Sequence, residues 1–169
     1  MMTERAKKIF LIITVVVPFL IYCVVYYRPI LKNAPFRSDE FVSIEYKWGQ
    51  GKTLVNTYNS ATGEYHYLND KDSLVHTNVK LRKDDIIYLH NKASDLGFWN
   101  FPEVIANRGT DTTKMTALRY ELEFKYKRTS KKVIYVSDFE EIPKLRDLAV
   151  QMKTLVEQTI NDAEDRYGK

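Results

Sequence analysis

The sequence holds a single cysteine, Cys23, which sits inside an apolar run near the N-terminus. No intrachain disulfide can form, so the fold must be held by its core, and an oxidising compartment is neither required nor excluded. Charge of one sign is also scarce. The formal net charge is +4, and residues 1–27 contribute +2 of it through Arg5, Lys7 and Lys8 against Glu4. In the remainder acids and bases are interspersed along every segment, as on a solvated surface, so the basic stripe of a nucleic-acid-binding face is missing. Internal repeats and low-complexity tracts are absent. So is any Gly-x-Ser-x-Gly elbow, and Ser, His and Asp recur at no spacing that marks a hydrolase, although triads assemble in space.

What is present, first of all, is hydrophobic length. Residues 9–27 form a stretch of 19 residues without a charge. As a helix rising about 1.5 Å per residue, that stretch reaches roughly 28 Å, the thickness of a hydrocarbon core. Lys7 and Lys8 flank one end, and Tyr26, Tyr27 and Arg28 the other, the basic and aromatic markers of a membrane interface. Pro18 lies mid-span, where membrane helices tolerate it. A cleaved signal peptide carries small residues before its cut, whereas residues 22–27 are bulky. A lipid-modified cysteine wants a small residue where Leu20-Ile-Tyr-Cys23 places tyrosine. The charged flanks and the length set the run apart from a buried core helix.

A chain of 169 residues has room for one domain plus a tether. The expected division is a cytoplasmic tail over residues 1–8, a transmembrane helix over 9–27, a stalk over 28–38 and a soluble domain over 39–165. Pro29 and Pro35 give the stalk its extended character. Arg28, Lys32 and Arg37 nearly balance the basic tail, but a short basic tail before a first hydrophobic segment is the ordinary signal-anchor arrangement. The expected orientation is N-in and C-out, with the domain outside the cytoplasm.

Within the domain, Val42, Ile44, Tyr46 and Trp48 alternate with Ser43, Glu45 and Lys47, which predicts a half-buried strand. Turn chemistry at residues 49–51, 59–63 and 69–72 separates three further strands, ending in one that aligns Val75, Thr77, Val79 and Leu81. The period then changes. Ile86, Leu89, His90, Ala93 and Leu96 recur every three or four residues, with Asp84 and Asp85 at the start and Gly97 placed as a left-handed cap. Residues 106–116 are polar and read as a loop. Leu118, Tyr120, Leu122, Phe124 and Tyr126 open a hairpin that returns through residues 131–137. Pro143 starts a final helix with the apolar stripe Leu145, Leu148, Ala149, Met152, Leu155, Val156 and Ile160. The order β-β-β-β-α-β-β-α predicts an α+β fold, an antiparallel sheet of five to six strands with two helices packed on one face. This order, with Leu96-Gly-Phe-Trp99 after the first helix, resembles small uncharacterised bacterial envelope domains found behind an anchor or a lipoprotein signal. The resemblance covers roughly residues 41–160. It implies a fold and a place in the cell envelope and brings no activity with it.

Sharper motifs each meet a plainer reading. Gly49-Gln-Gly51-Lys52-Thr53 looks like the end of a phosphate-binding loop, but the first glycine of that motif would fall at Tyr46, and a strand follows. The histidines His66, His76 and His90 show no metal-ligand spacing, and neither a metal nor a cofactor is expected. Asp70 and Asp72 lack the glycine and closing glutamate of a calcium loop. Trp48, Trp99 and Phe101 are either core aromatics or a recognition patch, with alternation around Trp48 favouring the core. Arg108 and Lys114, in the polar loop, complete the candidate binding residues. The function expected from all this is a non-enzymatic envelope protein whose membrane-held domain binds a protein or cell-wall partner, since tethering raises local concentration. Two other readings stay open. One is an unrecognised envelope hydrolase. The other is an accessory subunit of a membrane complex, contacted through the Thr14, Pro18, Tyr22 and Cys23 side of the span.

Overall fold

A computed structural model of the chain describes residues 3–33, 36–114 and 117–167. It separates into two compact units, Met1–Pro35 and Phe36–Lys169.

The first unit is one helix, α1 (Glu4–Asn33). Its segment Lys7–Arg28 is 22 residues long and apolar enough to cross a membrane. The Thr14 hydroxyl donates back to the Phe10 carbonyl at 2.9 Å, so this polar group needs no partner outside its own helix. Residues 28–33, expected as extended stalk, are helical: α1 runs unbroken through Pro18 and Pro29. A proline inside a helix removes one ladder bond and crowds the preceding turn, which can kink the helix in place of ending it. Ala34 and Pro35, also assigned to the stalk, lie outside the described residues, as do the tail residues Met1 and Met2.

The second unit is α+β. A 3-10 turn (Ser38–Glu40) leads into β1 (Phe41–Gln50), β2 (Asn56–Asn59), β3 (Glu64–Leu68) and β4 (Leu74–Asn78). Helix α2 (Lys83–Asp95) and a second 3-10 turn (Phe98–Asn100) follow, then β5 (Val104–Ile105), β6 (Leu118–Tyr126), β7 (Ser130–Val136) and α3 (Pro143–Tyr167). The sheet has seven strands in the order β4-β3-β2-β1-β6-β7-β5. This corrects the expected five to six antiparallel strands. The extra strand, β5, is two residues long and pairs with β7 in parallel, which makes the sheet mixed. So short a strand carries no periodicity of its own and exists because β7 offers it an edge.

Register explains which residues are buried. A bulge between Phe41 and Ser43 puts two β1 residues against one of β6, so Phe41 turns inward and Val42 is exposed, contrary to the alternation expected from Val42. Beyond it Ile44, Tyr46 and Trp48 face the core with Tyr58, Tyr65, Leu122, Phe124 and Val133 from neighbouring strands. From α3 come Ala149, Met152, Val156, Ile160 and Ala163. The core is rich in tyrosine, and several hydroxyls find partners. Tyr46 donates to Glu157 of α3 at 2.6 Å, Tyr67 to Glu164 at 3.2 Å and Tyr58 to the Val79 carbonyl at 3.1 Å. The helix packing also differs from expectation. Helix α2 buries only Leu89 and Ala93 among its described residues and packs on α3 and the Phe98–Asn100 turn. Its start is fixed by Asp85, which accepts the Arg82 N–H at 2.8 Å and a two-pronged contact from Arg166 of α3. Gly97, at φ +71°, ends α2 in the left-handed conformation that its lack of a Cβ permits.

Candidate binding surfaces

The five candidate residues fall in three places. Trp99 and Phe101 are core residues, 6% and 7% exposed. Phe36 stacks on Trp99 with ring centroids 4.4 Å apart, so the domain begins at least three residues before Asp39, where the sequence put its start. Trp99 also meets Phe98, Phe124 and Tyr126 edge-on, and Phe101 joins the cluster through Phe98. Trp48 is half-buried in a separate cluster, stacked on Tyr46 at 4.9 Å and near Tyr65. Arg108 is exposed on the loop, with Glu141 accepting its backbone N–H at 2.6 Å. Lys114 is exposed too, its N–H donated to the Asp111 carbonyl in a local turn. The fold therefore does not gather these residues into one site. Met115 and Thr116, the last residues of the expected loop, lie outside the described residues.

Three features that periodicity does not reveal stand out. The first is Arg119. Alternation put it on the polar side of β6, yet it is 7% exposed, because loop backbone closes over it. It donates to the Lys52 carbonyl at 3.1 Å and the Thr112 carbonyl at 3.2 Å, and lies 3.3 Å from Glu121. One buried guanidinium thus ties together the connection after β1 and the polar loop before β6. The segment once comparable to a phosphate-binding loop forms that connection, with Lys52 serving through its carbonyl.

The second feature is the sheet face turned away from α3. It carries an alternating lattice of charge in which Lys125 binds Glu45 and lies 3.8 Å from Glu123, and Lys132 lies 2.7 Å from Glu121. The bond that the Lys125 ammonium donates to Glu45 raises the lysine pKa. Such pairs satisfy each other and leave little net field for an ionic ligand.

The third feature is the β3-β4 hairpin at the end of the sheet. Its loop is organised by the Asn69 side chain, which accepts the N–H groups of Lys71 and Ser73 at 2.9 and 3.0 Å. Gly63 closes the other end at φ +79°, where any Cβ would come within 2.7 Å of the Asn78 side-chain oxygen. Among the described residues the outer edge of β4 has no neighbouring strand in the sheet order. Leu68 and Leu74, cross-strand partners beside the loop, are both exposed.

A cleft of about 160 Å³ between α2 and α3 is lined by Asp85, Tyr88, Leu155, Gln158, Thr159 and Asp162. Within it Asp85 holds Arg166, and the Thr159 hydroxyl donates to the Leu155 carbonyl at 2.8 Å. His90 is half-buried, its Nδ1 2.7 Å from the Tyr126 hydroxyl, and burial lowers its pKa. Compared with known proteins, the chain is matched by no family model and by no curated protein.

Proposed function

We propose that the protein is a single-pass, membrane-anchored binding module of the cell envelope, and that its domain, held outside the cytoplasm by α1, recruits an extended segment of a partner protein along the edge of β4. The observation that carries this reading is the position of β4. It is the end strand of a seven-stranded sheet. Its sequence, Leu-Val-His-Thr-Asn, contains none of the proline, lysine or bulge devices that usually blunt an edge. Outward-facing backbone groups of such a strand supply the hydrogen bonds of strand addition, while alternate side chains supply selectivity.

The ladder shows which groups are available. Val79 donates to the Gly63 carbonyl at 2.7 Å and Asn69 to the Ser73 carbonyl at 3.1 Å, so these are hydrogen-bonded pairs of the antiparallel β3-β4 ladder. Pairs alternate, and Leu74, His76 and Asn78 therefore turn their N–H groups to the open edge. Leu74→Pro deletes one outward N–H at the first residue of the strand without touching the inner ladder. A photo-crosslinking residue at exposed Ser73, in membranes, is expected to trap one discrete partner, and Leu74→Pro to abolish the adduct while the domain still melts cooperatively. An adduct of equal yield in the proline variant, or none in the parent, would refute the assignment.

A further inference from the structure

We propose that His66 and His76 form a two-histidine chelate for a late first-row divalent metal, Cu2+ or Zn2+, on the sheet face turned away from α3. The two are separated by a hairpin loop in sequence, and the β3-β4 register sets them directly opposite each other. The alternation of the β3-β4 ladder makes theirs a non-hydrogen-bonded pair, the kind in which facing side chains approach most closely. Their ring centroids are 4.4 Å apart at an interplanar angle of 68°. Small side-chain rotations suffice to aim one nitrogen of each ring at a common ion about 2.0–2.1 Å from both.

Availability supports the same conclusion. His66 is half-buried and His76 exposed, and among the described residues neither ring has a protein hydrogen-bond partner. His90 differs, since its Nδ1 is engaged by Tyr126 within a partly buried aromatic cluster. Neutral imidazole is a borderline ligand that suits Zn2+ and Cu2+, with Cu2+ bound more tightly by the usual divalent order. The register places Glu64 one non-hydrogen-bonded pair away, roughly 7 Å along the strand, where its charge favours a cation. On the other flank are Leu68 and Leu74. Thr57 faces His66 from β2, while beyond His76 the edge is open. Among the described residues no third His, Cys, Asp or Glu completes a ligand set. The remaining coordination positions face solvent, as in an open site and unlike a closed structural one. This inference is independent of the strand-addition reading, because the side chains of the pair project from the face while the partner's bonds would run along the edge.

The test uses the full chain in detergent micelles without a polyhistidine tag, titrated calorimetrically with Cu2+ and with Zn2+. One ion per chain is expected. His66→Asn and His76→Asn are each expected to weaken binding on the order of 100-fold, because losing either arm removes the chelate. The double variant, left with no imidazole at the site, is expected to bind more weakly than either single one. Electron paramagnetic resonance of the parent with one equivalent of Cu2+ is expected to show two nitrogen ligands, a readout that needs no variant. Affinity changed only about twofold by each substitution, one-nitrogen spectra, or no binding by the parent would overturn the site.

Discussion

Replacing Arg119 with methionine tests whether a single buried side chain organises the polar loop. The guanidinium makes two charge-assisted bonds to carbonyls, those of Lys52 and Thr112. Bonds of that class contribute about 1.5–3 kcal/mol each. Two circumstances reduce the loss. Lys52 is exposed and Thr112 half-buried, so water can reach the released carbonyls. The Arg119 Nε is itself buried without a partner, a cost of about 1–3 kcal/mol that the substitution removes. The roughly 3–5 kcal/mol penalty of an abandoned buried charge does not apply, because Glu121 keeps Lys132 at 2.7 Å. The net expectation is a destabilisation of about 2 kcal/mol, obtained from these hydrogen-bond magnitudes. Urea unfolding followed by tryptophan fluorescence measures it cleanly, since both tryptophans, Trp48 and Trp99, lie in the domain. The local signature matters more than the total. Amide exchange in residues 51–54 and 111–114 is expected to accelerate well beyond the global change, and Arg119→Lys to behave like methionine, because one ammonium cannot span both carbonyls in the guanidinium's fork. A loss under about 0.5 kcal/mol with unchanged exchange in both segments would refute the clamp.

Two other outcomes follow from the core. Met152 is 1% exposed and lines an apolar cavity of about 20 Å³ under α3. Met152→Ala removes three heavy atoms and enlarges that space, so a loss of about 3–4 kcal/mol is expected, against less than about 0.5 kcal/mol for Val150→Ala on the exposed side. Burial, with the Glu157 charge adding at Tyr46, raises the pKa values of Tyr46, Tyr58, Tyr65 and Tyr126 above the ordinary 10. The folded state then holds protons that the unfolded chain gives up, so this contribution is fully present below about pH 10 and is lost as the pH rises further. Near-ultraviolet absorbance is expected to show these phenols ionising together with the loss of tryptophan fluorescence. Ionisation while the fold persists would contradict their burial.

Much of the architecture was legible because it rests on local pattern. The stripe from Leu145 to Ile160 became a helix whose buried side continues to Ala163. Gly97 capped α2 at the expected place. The alternation in β6 held from Tyr120 onward, with Tyr120, Leu122, Phe124 and Tyr126 all buried, while at its start Leu118 is exposed and Arg119 buried. Errors arose where a partner decides the outcome. The bulge at the start of β1 reversed Phe41 and Val42, because strand pairing and not period sets a bulge. Strand β5 exists only against β7. Candidate binding residues chosen by chemical type divided between core and surface, since aromatic residues serve both.

The sequence alone determined what depends on neighbours along the chain: an uncharged run long enough for a bilayer, strands marked by period two, helices marked by period 3.6, and the turns between them. Only the tertiary structure decided what depends on register. The pairing of β3 with β4 brings His66 opposite His76, the folding of two loops over β6 buries Arg119, and the sheet order leaves β4 at the end. Side-chain period is a local property of the backbone, whereas the pairing of one strand with another is settled by the summed packing of the whole core.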